Sequence, residues 1–186
     1  MPDLAAEVAA CRVCEAHIEP RPVATFSPTA RLVIIGQAPG SKVHASGVPW
    51  DDASGERLRE WTGLDRETMY DPARVALVPM GFCYPGKASG GDKPPRRECA
   101  PLWHQRILDL LPPDRLTLLV GTYAQAHYLR DSLPMTERVR RFANYLPAFF
   151  PLPHPAWRST LWMRQNPWFE TELLPILRRE VARRLH

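Results

Sequence analysis

The sequence has no apolar run approaching the roughly 18 residues that carry a helix across a membrane, so no membrane span is expected. It also lacks a basic and apolar leader, because acids stand at Asp3 and Glu7, and a cytoplasmic location is the expectation. No GxGxxG is present, and the glycine-bearing loop after the first apolar run has no lysine-threonine ending, which argues against a phosphate-cradling nucleotide fold. Neither sign of charge dominates. The 24 Lys and Arg against 20 Asp and Glu leave a net charge of +4, which permits a nucleic-acid partner without requiring one. The 21 prolines stand at element edges and are not massed in one linker, which argues against disorder. Cysteine is scarce, with four in all.

What is present reads as one folded domain. At 186 residues and 45% hydrophobic content the chain can bury one core and is too short for two ordinary domains, so a single domain over 1–186 is expected. Four short apolar runs predict buried strands: Leu32 to Ile35, Val75 to Met80, Leu116 to Val120 and Ala148 to Leu152. Helices are predicted at 3–10, Gly55 to Leu64, Leu102 to Leu111, Thr122 to Arg130 with Thr122 as the cap, 136–145, and Trp168 to Leu185. Residues 15–30 and Phe82 to Arg97 read as loops, and the second is long enough to be functional or stapled. Strand and helix alternate, which predicts an α/β fold: three layers, α/β/α, around a central four-stranded parallel sheet.

The stretch from Arg31 to Gly55 is the focus. A buried strand opens at Gly36 into a polar loop, and sites of open α/β sheets lie at such strand ends. The loop offers Gln37 as a base-edge or water contact, or as a loop cap. It offers Trp50 as a stacking platform, or as core. Asp51 and Asp52 are candidate catalytic acids, and Asp52 before Ala-Ser-Gly also fits a helix N-terminus. His154, held between two prolines just past the last strand, is an imidazole whose backbone is fixed, or a solvent-facing turn residue. Trp157 and Arg158 follow as an apolar wedge and a cation suited to a DNA groove. Lys87, Lys93, Arg96 and Arg97, with Tyr84 among them, suit phosphate contacts and stacking, or form a solvated basic loop.

Cys11 and Cys14 form a CxxC, and Cys83 and Cys99 flank the second long loop. Four thiolates complete either a [4Fe-4S] cluster or a tetrahedral zinc site, and spacing alone leaves both open beside the reading of ordinary reduced cysteines.

Together these residues resemble the uracil-DNA glycosylase superfamily, closest to its iron-sulfur branches, families 4 and 5. Gly36-Gln-Ala-Pro-Gly40 resembles the GEAPG first motif of family 4. Gly47-Val-Pro-Trp50 resembles the GRPF whose aromatic stacks on uracil, and Asp52-Ala-Ser-Gly55 resembles the DASG of family 5. His154-Pro-Ala156 resembles the HPS or HPA of the second motif. The resemblance implies a single domain of that fold that flips a deaminated base out of DNA and hydrolyses its glycosidic bond, working as a monomer. It implies that His154 stabilises the leaving base and Asp52 the sugar cation or a water. Trp50 would stack on the base, while Gln37, Gly36 and Ala38 shape its site. It also implies that Cys11, Cys14, Cys83 and Cys99 hold a structural [4Fe-4S] cluster, with zinc as the alternative. The sequence departs at two positions. Gln37 replaces the family 4 acid, which leaves water activation to Asp51 or Asp52. The uracil-reading asparagine has no match in Pro79-Met80-Gly81-Phe82-Cys83, which leaves the base edge to backbone groups around Met80 and admits other deaminated bases. A catalytically weak member that only binds damaged or single-stranded DNA is the alternative expectation.

Overall fold

A computed structural model describes residues 3–186; Met1 and Pro2 of the expected 1–186 domain lie outside the described residues. The Val, Ile and Leu runs form the central sheet. Its strands are β1 (Leu32–Ile35), β2 (Val75–Leu77), β5 (Leu116–Val120) and β6 (Phe149–Leu152), in the order β2-β1-β5-β6. All three pairings are parallel, with Leu32 beside both Val75 and Leu116 and Val120 beside Leu152. β6 lies at an edge, where Pro151 is tolerated because no neighbour needs its missing N–H. The other edge, β2, is partly covered by Thr25, which exchanges backbone hydrogen bonds of 3.0 and 2.8 Å with Leu77.

Successive strand residues point to opposite faces, so each strand feeds two cores. Leu32 and Ile34 join Leu58, Trp61 and Phe169 on one side, covered by α3 (Ala53–Thr62) and α9 (Leu174–Leu185). Val33 and Ile35 join Val8, Phe82 and Trp103 on the other side, with α1 (Leu4–Ala9) and α5 (Gln105–Leu108). The three-layer α/β/α reading therefore holds.

Several boundaries differ from the sequence reading. β2 stops at Leu77, short of Met80, although the Val78 and Met80 N–H groups still donate to the Ile34 and Gly36 carbonyls. Thr122 is not the cap of α6 (Thr122–Leu129); Gly121, at φ 92, occupies that position without a side-chain bond. The glycine loop after β1 contains α2 (Ser41–Ser46), and Asp65 caps a further short helix, α4 (Arg66–Tyr70). The loop 82–97 contains a hairpin, β3 (Lys87–Ala88) and β4 (Gly91–Asp92). The helix expected over 136–145 is α7 (Met135–Arg140) followed by a 3-10 turn, Phe142–Tyr145. The helices expected over 102–111 and 168–185 each begin with a wider π turn, at Ala100–His104 and Phe169–Leu173, and one more helix, α8 (Ser159–Gln165), follows the His154 loop. Among the described residues no helix is long and apolar enough to cross a membrane.

Phe169 is fully buried and meets Trp61 edge-on at 4.9 Å and Trp162 at 5.2 Å. Truncating it to alanine leaves a cavity that rigid strands cannot close, and Phe169→Ala is expected to cost about 3–5 kcal/mol, read as a lower urea midpoint at unchanged slope.

Candidate active site at the carboxyl ends of the strands

The chain order reverses between β1 and β5, and ligand sites of open α/β sheets lie beyond strand ends at such a switch. A cavity of about 550 Å³ opens there. Gly36, Gln37 and Ala38 line it from the loop after β1, Trp50 and Asp52 from the turn before α3, and His154 from the loop after β6.

The indole of Trp50 sets the packing. A Cβ on Gly36 would lie 2.6 Å from Trp50 Cζ2, and one on Gly55 would lie 1.7 Å from the Trp50 carbonyl oxygen. Both positions therefore require glycine. Trp50 itself holds a left-handed backbone, φ 58, which is uncommon outside glycine. Its ring centroid is 5.8 Å from that of His154, at an interplanar angle of 30°.

Asp52 is the N-cap of α3, its Oδ1 accepting the Gly55 N–H at 2.9 Å. His154 loses solvation in the cavity wall, which pushes its imidazole below the ordinary value, while the nearby Asp52 carboxylate opposes that shift. The two groups therefore feel one another across the cavity. The loop carrying His154 is tied down: Ser159 Oγ donates to the His154 carbonyl, and Arg57 of α3 donates to the Ala156 carbonyl at 3.0 Å. Gly121 lets β5 approach, with its would-be Cβ 3.5 Å from His154 Cβ.

The other candidates are dispersed. Asp51 points out of the cavity into a 2.9 Å ion pair with Arg66. Met80 donates its N–H to the Gly36 carbonyl, but its side chain lines a separate cavity with Tyr123 and His127. Lys87 is exposed on the hairpin, and Arg96 pairs with Glu98 beside Cys14. Trp157, 76% exposed, and Arg158 flank the cavity mouth, where Arg158 donates to the Gly90 carbonyl at 2.8 Å and joins the β3–β4 turn to the His154 loop. Asp92 was not singled out by the sequence; the hairpin brings its carboxylate to the cavity, held by the Tyr84 hydroxyl at 3.4 Å. Strands of two residues have no periodicity to betray them.

The sequence profile described as the Uracil DNA glycosylase superfamily matches residues 23–178, most of the chain and every cavity residue named above. The chain belongs to that superfamily. Its four cysteines, all free thiols, come from both sides of the match boundary: Cys11 and Cys14 precede it and Cys83 and Cys99 lie within it. The fold draws them together. Burial first, and then the fields of Cys83, Cys14 and Cys11, push the Cys99 thiol up to about 11, and Cys83 is raised by burial with Cys11 and Cys14 contributing. A backbone N–H serves one sulfur, Phe82 donating to Cys99 Sγ at 3.5 Å, and the Arg21 backbone opposes the upward shift of Cys83. Among the described residues no three His, Cys, Asp or Glu side chains stand in an arrangement that holds a single metal ion. In number and kind, four thiols, one of them accepting a backbone N–H, fit the donor set of a cluster. The same four thiolates are equally the donor set of a structural zinc site.

Behind the cavity wall at Pro79 lies His104, which is buried. Desolvation pushes its imidazole down to about 4, opposed by the Pro79 carbonyl. Its folded value lies below the unfolded one, so the unfolded chain takes up the proton first and acid favours unfolding. The stability from this group is whole above about pH 6.5 and falls away toward about pH 4, with a loss of about 2 kcal/mol by about pH 5. Urea titrations across that range are expected to show this slope, and His104→Phe is expected to remove it.

Proposed function

We propose that this superfamily member is a DNA-repair glycosylase of the iron-sulfur type, hydrolysing the N-glycosidic bond of uracil or another deaminated base flipped out of DNA. The observation that carries the reading is one cavity shared by Asp52, His154 and the Trp50 indole, beside the backbone of Gly36 to Ala38. A base inside a duplex hides both its edge and its sugar, so the nucleotide must leave the stack to be cleaved. Trp157 and Arg158 at the mouth supply an apolar side chain and a cation for the strand left behind, and Lys93 on the same rim supplies another. Lys87 and Arg96 extend that basic surface outward.

Cleavage spreads positive charge on the sugar and negative charge on the departing base. An imidazole whose pKa is depressed is neutral near pH 7 and donates a hydrogen bond to the base anion without surrendering a proton first. Asp52 has one oxygen committed to the Gly55 amide and a second free to face the sugar cation or orient a water. Gln37 and the backbone of Gly36 and Ala38 shape the water and base positions, and Trp50 gives the base a flat partner. Asp51 and Met80 receive no step here.

Cys11, Cys14, Cys83 and Cys99 would hold a [4Fe-4S] cluster, which supplies no chemistry to a hydrolysis and serves to tie the N-terminal segment to the 82–99 loop. A second reading is favoured by Gln37 standing where family 4 has an acid: a member that binds damaged or single-stranded DNA without turnover.

Abasic-site formation on uracil-, hypoxanthine- and xanthine-containing oligonucleotides separates the two. Release of at least one base is expected, with His154→Ala slower by about 10²–10³ and still folded; salt-sensitive binding with no release from any oligonucleotide would establish the second reading. Protein purified without oxygen is expected to be brown and to carry about four irons with matching sulfide, and Cys99→Ser to lose the colour. A colourless protein holding one zinc would replace the cluster with the alternative metal.

A further inference from the structure

Pro79 forms part of the cavity wall, yet it has no N–H and its carbonyl is turned away from β1. Its neighbours continue the sheet past the end of β2. Val78 donates to the Ile34 carbonyl at 3.0 Å, Met80 to Gly36 at 2.9 Å and Gly81 to Gln37 at 2.9 Å. The Gly36–Gln37 loop is thus held from one side by residues 78–81. Those residues need an anchor on their own outer side, where the strand is an edge.

His104 is that anchor. Its Nε2 lies 2.9 Å from the Pro79 oxygen and its Nδ1 lies 2.5 Å from the Tyr128 hydroxyl. A carbonyl cannot donate, so Nε2 carries the hydrogen and Nδ1 accepts from Tyr128. The imidazole runs near-parallel to Phe82, with ring centroids 5.8 Å apart at 20°, and near-coplanar with Tyr128, 6.0 Å apart at 18°, as a hydrogen bond in the ring plane requires. The two hydrogen bonds, on opposite nitrogens, fix the ring's orientation.

We propose that His104 and Tyr128 are positioning residues: a relay from α6 through the imidazole to the Pro79 carbonyl sets the cavity wall and, through Met80 and Gly81, the Gly36–Gln37 loop. Its catalytic consequence rests on the glycosylase reading, but its structural content does not. His104→Phe keeps an aromatic ring beside Phe82 and removes both hydrogen bonds, whereas His104→Gln can donate to Pro79 and accept from Tyr128.

The test measures amide hydrogen exchange in the full-length protein, together with kcat and KM on whichever oligonucleotide is cleaved. In His104→Phe the Met80 and Gly81 amides are expected to exchange about tenfold faster, while Leu118 and Leu119 in β5 are unchanged. kcat is expected to fall about tenfold with KM nearly constant, and His104→Gln to restore both readouts to within about threefold. Ring ¹⁵N shifts are expected to report the Nε2–H tautomer. Should His104→Phe fail to fold, Tyr128→Phe carries the same exchange readout. Unchanged exchange at Met80 and Gly81, or an Nδ1–H tautomer, would overturn the relay. Absence of base release in the wild type would overturn the glycosylase reading alone, because the exchange comparison still decides the relay.

Discussion

Two missing Cβ atoms govern the cavity. The Trp50 ring lies on Gly36 and its carbonyl lies on Gly55, each closer than any side chain allows. From that contact the rest follows: the indole reaches His154, the turn before α3 is drawn tight, and Asp52 falls at the helix N-terminus with its carboxylate toward the imidazole. The sheet supplies the frame, since the ends of β1, β5 and β6 bring Gly36, Gly121 and the His154 loop to one level. Two residues distant in sequence then lock the frame, Arg57 from α3 onto the His154 loop and His104 onto Pro79.

The sheet was legible because parallel strands buried on both faces must be continuous apolar runs, as Leu32–Ile35 and Leu116–Val120 are. Val75 to Met80 read too long for a physical reason: Met80 and Gly81 still donate to the β1 loop, so the apolar run outlasts the regular strand. Gly36, Gln37, Trp50, Asp52 and His154 were readable from short motifs and lie around one cavity. Asp51 and Asp52 are identical neighbours in sequence, and only the cap geometry sends one to Gly55 and the other to Arg66. His104 left no local signal because its partners, Pro79 and Tyr128, come from other parts of the chain, and Asp92 left none because its hairpin strand is two residues long.

The basic character is local and not global. A net charge of +4 is small, and several cations are already engaged: Arg66 with Asp51, Arg96 with Glu98, Arg138 with Asp131. The exposed pair of Arg66 and Asp51 adds little stability, whereas Arg138 is buried against Asp131. At the cavity rim, Lys93 and Arg158 bring positive charge to the opening.

In the proposed reaction Asp52 joins folding and chemistry in one side chain. One oxygen closes the first turn of α3, a cap worth about 1 kcal/mol, and so the direction of the other is dictated by the helix axis. The carboxylate is thereby aimed by secondary structure, without a separate support. An amide at this position keeps the helix start and forfeits the charge, whereas a methyl forfeits both.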